Sequence, residues 1–302
     1  MSRVAVIIVN YNAGPLLHEC LASLERQQTR AARVLVVDNG STDDSIAQCR
    51  PAFPWVEFHE RGVNSGFAAA NNYGVRQVDD CEWIALLNPD AFAREDWIAA
   101  FTRRAAEFPD VDVFACCMLW AERPEILDGA GDAYRVDGLA WPLAQGGPAS
   151  GLAPSPVEAI MPSAGAAFYR RSAFTDAGGF CERFFCYYED VDLGLRLRLL
   201  GRRCLFLPDV VVRHVGSALT GKGSAFSVYY AHRNFVWTYL RNMPGRLVWV
   251  YLPAHVAANL ASVALFVRKG MGGTILRAKW DALRGVPASL RERRAIQARN
   301  PR

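Results

Sequence analysis

Val4-Ala5-Val6-Ile7-Ile8-Val9-Asn10-Tyr11-Asn12 decides the fold. An unbroken apolar run ending in polar residues reads as a strand buried on both faces, the kind found in parallel sheets covered by helices. The run is shorter than a secretory signal core and no small-residue cleavage site follows it, so no secretory leader is expected. Working outward, Pro15 opens a helix, with Leu16, Leu17, Cys20, Leu21 and Leu24 at helical spacing. Residues 34–37 read as a second strand, and Ser41-Thr42-Asp43-Asp44 as a helix N-cap region. Strands at 55–58, 82–87 and 111–119 then alternate with helices at 68–78 and 97–108. This alternation predicts an α/β fold with a mainly parallel sheet, its ligands at the C-terminal ends of the strands. Three polar clusters fall at those ends: Asn10-Tyr11-Asn12, Asp38-Asn39-Gly40-Ser41 and Asn88-Pro89-Asp90.

Residues 138–156 carry four Gly and four Pro and read as a mobile surface loop. Order returns at 164–177. Residues 188–200 read as a helix with acids in its first turn, and 205–212 as a last strand interrupted at Pro208.

The 302 residues are 51% hydrophobic with a net charge of +4, which excludes intrinsic disorder. They suffice for one large α/β domain, or for one domain with a small annex. The eight scattered cysteines form no metal-ligand spacing and read as buried thiols in a reducing compartment. Charge is unevenly placed: residues 268–302 hold ten Lys/Arg against two Asp/Glu, a net of +8, leaving −4 on residues 1–267. A basic segment on an acidic body points to an anionic partner, nucleic acid or membrane phosphate, or else to a solvated tail. Just before it, residues 247–267 are uncharged over a bilayer-spanning length. His255, Asn259 and Ser262 form one helical stripe opposite Leu252, Val256, Leu260 and Val263, the pattern of an interfacial helix or of a buried core helix.

No G-x-G-x-x-G follows the first strand, so a dinucleotide site is not expected. Residues 216–223 nearly fit a phosphate loop, but Gly223 stands where a hydroxyl should be; Lys222 could still touch a diphosphate. The acids carry more information. Asp38, Asp90, Glu189, Asp190 and Asp192 all fall at strand ends or a helix start, where they would repel one another unless a divalent cation or donor groups held them. His214, just past the last strand, offers an imidazole suited to Mn²⁺.

Residues 6–12, Asp38-Asn-Gly-Ser-Thr-Asp43, Asn64-Ser-Gly66 through Gly74, Leu87-Asn-Pro-Asp90, Gly178-Gly-Phe180, Glu189-Asp-Val-Asp-Leu193 with Arg196, and His214 together resemble the family-2 glycosyltransferases, in their rhamnosyltransferase-like branch. The resemblance spans roughly residues 4–217. It implies a GT-A fold, a Rossmann-like, mainly parallel sheet flanked by helices; the uncharged stretch and basic tail beyond it read as a C-terminal helical, membrane-associating extension. Residues 1–110 would be the nucleotide-sugar half, 111–245 the acceptor and catalytic half, and 246–302 the basic membrane-associating segment.

By the same resemblance, Asn10, Tyr11, Asn12 and Asp38 hold the base and ribose of a nucleotide-sugar donor, while Asn64, Gly66 and Asn71 line its pocket. Asp90 matches the last acid of the family's D-x-D metal motif, with Asn88 in place of the first, and His214 is the second ligand of a divalent metal, Mg²⁺ or Mn²⁺. Asp190 matches the family's catalytic base. On a helix residue 190 lies about 100° from 189, whereas 189 and 192 lie within about 60°, so the three acids cannot all face one substrate. Asp192 can pair with Arg196 at i+4, which leaves Asp190 for catalysis and Glu189, beside Tyr188, for acceptor hydroxyls. Cys181 departs from the family, which carries Asp after Gly-Gly-Phe. Phe184, Phe185, Tyr187 and Tyr188 could stack on a sugar or belong to the core.

The implied reaction is inverting transfer of a sugar, rhamnose from dTDP-rhamnose foremost, to a lipid-linked or surface-glycan hydroxyl. The protein would be cytoplasmic and peripheral on the inner face of the cytoplasmic membrane, with an anionic membrane surface and no nucleic acid as partner. Two other readings compete. A nucleotidyltransferase would carry a basic Gly-rich first loop, which residues 10–15 lack; a non-catalytic sugar- or lipid-binding module would not need a metal acid, a base and His214 together.

Overall fold

The computed structural model describes residues 3–216 and 223–299. Its first strand, β1 (Val4–Asn10), is buried at every position. Val4, Val6 and Ile8 enter one apolar core while Ala5, Ile7 and Val9 enter the other, so the period-two alternation of a strand fills both faces of the sheet. Helix α1 (Pro15–Glu25) leads to β2 (Arg33–Asp38), α2 (Ser45–Ala52) to β3 (Glu57–Glu60), and α3 (Phe67–Gln77) to β4 (Trp83–Leu87). The short β5 (Ala91–Ala93) precedes α4 (Trp97–Glu107) and β6 (Val113–Trp120). Next come β7 (Leu127–Gly129), β8 (Asp132–Tyr134), β9 (Ala140–Pro142), β10 (Val157–Glu158), β11 (Ala166–Arg170), α5 (Arg171–Asp176), α6 (Glu189–Leu199) and β12 (Cys204–His214).

The main sheet runs β10-β12-β6-β11-β4-β1-β2-β3, with β5 on β12 and β7 on β6. Strands β3, β2, β1 and β4 are parallel, β6 and β12 are parallel to each other, and β11 lies antiparallel between β4 and β6. The interruption expected at Pro208 is a register shift between Leu207 and Val211 in the pairing with β6. Proline cannot donate to the ladder, so a bulge accommodates it.

Residues 138–156 differ from the mobile loop expected of their composition. Strand β9 pairs with β8, Ala130 and Leu143 are joined by a backbone hydrogen bond, and Leu127 exchanges two with Gly146 and Gly147. The glycines here serve turns and close packing: at Gly138, φ is +96° and a Cβ would come within 2.9 Å of Phe235.

The C-terminal part is helical: α7 (Ala225–Asn242), α8 (Leu247–Val250), α9 (Leu252–Arg268), α10 (Gly272–Arg284) and α11 (Val286–Ala298). Helix α10 buries Ile275 and Ala278, and Trp237 of α7 donates to the Ala282 carbonyl. The polar stripe of α9 faces inward. His255 is 3% exposed and stacks on Tyr239, and Asn259 accepts from the Lys279 ammonium at 2.6 Å. The outer face is therefore apolar, with Val256, Leu260, Leu265 and Val267 exposed beside Trp249, Val250, Leu276, Trp280 and Leu283. Among the described residues no helix is long and apolar enough to cross a membrane. All eight cysteines are free thiols, six of them buried.

Candidate active site

Strand β1 is flanked by β2 on one side and β4 on the other, so successive connections leave it in opposite directions. Such a switch point opens a crevice at the C-terminal strand ends. A cleft of about 310 Å³ lies there.

One wall is built where β4 ends. The Asn88 N–H donates to the Gly165 carbonyl and the Ala91 N–H to the Asn88 carbonyl, a tight turn that carries Asp90. The chain then pairs β5 with β12, Ala91 opposite His214, which brings the imidazole to Asp90. His214 Nε2 stands 3.3 Å from Asp90 Oδ1. The two atoms are buried, yet neither is aligned for a hydrogen bond and neither has another partner. His214 Nδ1 lies 2.7 Å from Asp128 Oδ2. Burial by itself would lower the imidazole pKa, but Asp128 and Asp90 outweigh it and push it up to about 9.

The opposite wall is the start of α6. Phe185, Tyr187 and Tyr188 leading into it all have positive φ, near 67°, which is costly for side chains of this size. Asn234 of α7, fully buried, holds this turn by donating its amide toward the carbonyls of Phe184, Cys186 and Tyr187. The turn delivers Glu189 and Asp190 to the cleft. Asp190 Oδ2 accepts from the Ala164 N–H at 3.1 Å and Oδ1 from the Val191 N–H at 2.8 Å. Burial raises its pKa and those N–H groups only partly restrain it. Glu189 is buried and its Oε2 is unpartnered; burial and the neighbouring Asp190 charge raise its pKa. Residues 163–165 join the two walls, since Gly165 binds the Asn88 turn and Ala164 binds Asp190.

Asp192 points elsewhere. It is fully buried, with Arg196 at 2.8 Å, Arg241 at 2.7 Å and Asn242 at 2.7 Å. Burial would raise its pKa, but the two guanidinium groups hold it down at about 2. The i+4 pairing with Arg196 expected from the sequence is present.

Of the donor-side residues, Tyr11, Asn64, Gly66 and Asn88 line the same cleft as Asp90, His214, Tyr188, Glu189 and Asp190. Asn64 accepts from Asn39 and from the Gly66 N–H, and Gly66 (φ +86°) leaves no room for a Cβ against Phe185. Asn10, Asn12, Asp38 and Asn71 do not line it. The Asn10 amide donates to Asp38, Ser41 and Ser45, and Asn12 accepts from the Thr42 N–H, so these residues fasten the β1 and β2 loops together. The Asn71 amide donates to the Phe67 carbonyl within α3. Lys222 lies outside the described residues. Of the four aromatics before α6, Phe184 is fully buried, while Phe185, Tyr187 and Tyr188 reach the cleft.

Sequence reading missed Asp128 and Asp132, which fall in short strands between the strand read at 111–119 and the loop read at 138–156. It also missed Asn234 and the floor at 163–165. A signal was present for Asp128 and Asp132: both are acids in a segment otherwise rich in small residues.

A mainly parallel sheet with this switch point, the antiparallel β11 set inside it and a cleft at the strand ends defines the GT-A type of α/β fold. The family model described as "Glycosyl transferase family 2" matches residues 5–176, and the chain belongs to that family. It is 31% identical over 254 residues, 76% of this chain and 81% of the relative, to "N-acetylglucosaminyl-diphospho-decaprenol L-rhamnosyltransferase" of Mycobacterium tuberculosis. Among solved structures it is similar to S. aureus TarS 1-349 in complex with UDP-GlcNAc, with a TM-score of 0.62 and 17% identity over 99% of this chain and 89% of that one. It is also similar to the mannosyltransferase PcManGT from Pyrobaculum calidifontis in complex with GDP-Man and Mn²⁺, with a TM-score of 0.57 and 19% identity over 99% and 88% of the two chains.

Proposed function

We propose that this chain is a metal-dependent inverting glycosyltransferase that moves rhamnose from dTDP-rhamnose to a hydroxyl of a lipid-linked or surface glycan. One observation carries the catalytic part: Asp90 Oδ1 and His214 Nε2 are buried, 3.3 Å apart and outside any hydrogen bond, on one wall of a cleft whose other wall presents the Asp190 carboxylate. Buried polar atoms outside hydrogen bonds call for an explanation, and at a cleft wall a bound ion supplies one. Their 3.3 Å separation is near the ~3 Å between neighbouring ligands of an octahedral ion with bonds of ~2.1 Å. Among the described residues no group of three or more His, Cys, Asp or Glu could hold a metal. That fits an ion which takes its remaining ligands from substrate phosphates and water. The mannosyltransferase similar in fold was crystallised with GDP-Man and Mn²⁺.

A bound Mg²⁺ or Mn²⁺ would supply charge stabilisation to the departing diphosphate. This chain's own residues do the rest. Tyr11, Asn39 and Asn64 form the nucleotide side of the cleft, with Asn10, Asn12 and Asp38 bracing the loops behind them. Asp190 takes the proton of the acceptor hydroxyl as that oxygen attacks the anomeric carbon; the bond from that carbon to the diphosphate oxygen breaks and the nucleoside diphosphate leaves. A carboxylate with a raised pKa is a better match for this transfer than an ordinary one. Glu189 and Tyr188 hold the acceptor.

The donor and acceptor follow the 31%-identical relative, whose name specifies an L-rhamnosyl donor group and a diphospho-decaprenol acceptor. A polyprenyl acceptor supports a position at the cytoplasmic face of a membrane. The outer face of α8, α9 and α10 suits that position. Its exposed tryptophans Trp249 and Trp280 and its aliphatics are fringed by exposed Arg246, Arg268, Lys269, Arg277 and Arg284, a composition that fits an anionic bilayer.

The test is release of free nucleoside diphosphate from a panel of nucleotide sugars, with Mn²⁺ or Mg²⁺ and a polyprenyl-diphosphate sugar acceptor. The expected result is dTDP from dTDP-rhamnose; UDP from a UDP-hexose would replace the donor but keep the chemistry. Release of pyrophosphate, or of nothing from any donor, would contradict the proposal.

A further inference from the structure

Among the described residues, Asp128 is the charged partner of His214 that lies behind the cleft, not in it. It sits on β7, which pairs with β6, and β6 in turn pairs with β12, which ends at His214. The carboxylate is 9% exposed and does not line the cleft. Its Oδ2 lies 2.7 Å from His214 Nδ1, and its Oδ1 accepts from the Gln145 side-chain amide at 3.2 Å. The arrangement is a chain from Gln145 through Asp128 and the two nitrogens of His214 to Asp90.

We propose that Asp128 is a positioning residue for the divalent ion: it holds the Nδ1 proton of His214 and the ring angle, so that Nε2, which gives up its own proton to an incoming cation, faces Asp90 and the cleft. The inference rests on the reading of Asp90 and His214 as ion ligands. An imidazole carries two inequivalent nitrogens, and the partner of one decides what the other offers. A carboxylate on Nδ1 fixes both the tautomer and the ring angle, and its charge makes Nε2 the stronger donor. The same carboxylate adds a second negative charge beside Asp90, which suits a divalent cation in a buried place. Gln145 closes the arrangement by fixing the far oxygen of Asp128. This gives residues 138–156 a part in the ion site that their composition conceals. An ordinary structural ion pair would need Asp128 and His214 alone. Here Nε2 stands 3.3 Å from a second buried carboxylate without a hydrogen bond to it, which is the pair of groups a cation would occupy.

The experiment is titration of the full chain with Mn²⁺ at constant pH, alone and with a fixed concentration of dTDP, following free Mn²⁺ by electron paramagnetic resonance, for the unaltered chain, Asp128→Asn, Asp128→Ala, Gln145→Ala and His214→Ala. Asp128→Asn keeps an acceptor but loses the charge and should weaken Mn²⁺ binding about 10-fold; Asp128→Ala should approach 100-fold. Gln145→Ala should lose a few-fold. In turnover assays the Asp128 variants should need more Mn²⁺ for half-maximal rate, while excess Mn²⁺ restores kcat, a rescue that damaged folding would not allow. Equal Mn²⁺ affinity for the unaltered chain and both Asp128 variants would overturn this inference and leave the metal reading standing. No Mn²⁺ binding by the unaltered chain, either alone or with dTDP, would overturn both. If Asp128→Ala does not fold, the isosteric Asp128→Asn and the exposed-side Gln145→Ala decide the question.

Discussion

Asp190 and Asp192 lie two residues apart on α6, and their surroundings are opposite. Asp192 is saturated by two guanidinium groups and an amide that tie α6 to α7, and its pKa is held down. Asp190 meets only backbone N–H groups, faces a cleft and has its pKa raised. The same contrast separates the two regions they belong to. The α6–α7 junction satisfies its charges, whereas the cleft leaves Asp90 Oδ1, His214 Nε2 and Glu189 Oε2 without partners. A chain that satisfies one buried carboxylate so fully and leaves its neighbour open is what the proposed function requires of a base facing a ligand.

The contrast breaks most sharply on substitution. Asp190→Asn should keep its fold and lose about 10³-fold in turnover, since a positioned base supplies on the order of 10²–10⁴-fold; steady-state rates with unchanged thermal unfolding would show it. Asp192→Asn should do the reverse. It strands Arg196 and Arg241 in a buried site, at a cost of about 3–5 kcal/mol, and activity should fall only with the folded fraction. Equal effects of the two changes on unfolding would erase the distinction.

A pH series sharpens it. Burial and the charges of Asp190 and Asp128 raise Asp132 to about 8, against an ordinary 3.8. Between those values the unfolded chain releases a proton that the folded chain keeps, so stability falls as pH rises from about 4 to 8. Asp132→Asn removes that loss and should unfold a few degrees higher than the unaltered chain at pH 8, with no gain at pH 4. Asp192 has the opposite sign: its stabilisation is present above pH 3.8 and lost as pH falls toward 2. The smallest expected effect is on the outer helical face. Trp249→Ser with Trp280→Ser should cut co-sedimentation with anionic vesicles several-fold and leave turnover on a water-soluble acceptor unchanged. Equal sedimentation would remove the bilayer from the account, and a concentration-dependent dimer lost in the variant would assign the face to a second copy.

The sheet was legible because its strands are local and doubly buried: the run at Val4–Val9 needs no tertiary information to be read as a strand. The acids at strand ends were legible for the same reason, as was the i+4 pair of Asp192 and Arg196. What stayed hidden is long-range. Asp128 and His214 are 86 residues apart and meet only through the pairing of β7, β6 and β12. Asn234 holds a turn almost 50 residues before it. The orientation of α9 was hidden too, because helical periodicity separates a polar stripe from an apolar one without saying which meets the protein. Here His255 and Asn259 find partners on α7 and α10, and the apolar stripe is left outside.

The most direct test of the account is a crystal structure of the chain with Mn²⁺ and dTDP, read by anomalous scattering at the manganese edge. The account expects one Mn²⁺ peak in contact with Asp90 Oδ1, His214 Nε2 and the diphosphate, with Asp190 across the cleft and free of metal. Nucleotide bound with no peak at Asp90 and His214, or a peak on Asp190, would contradict it.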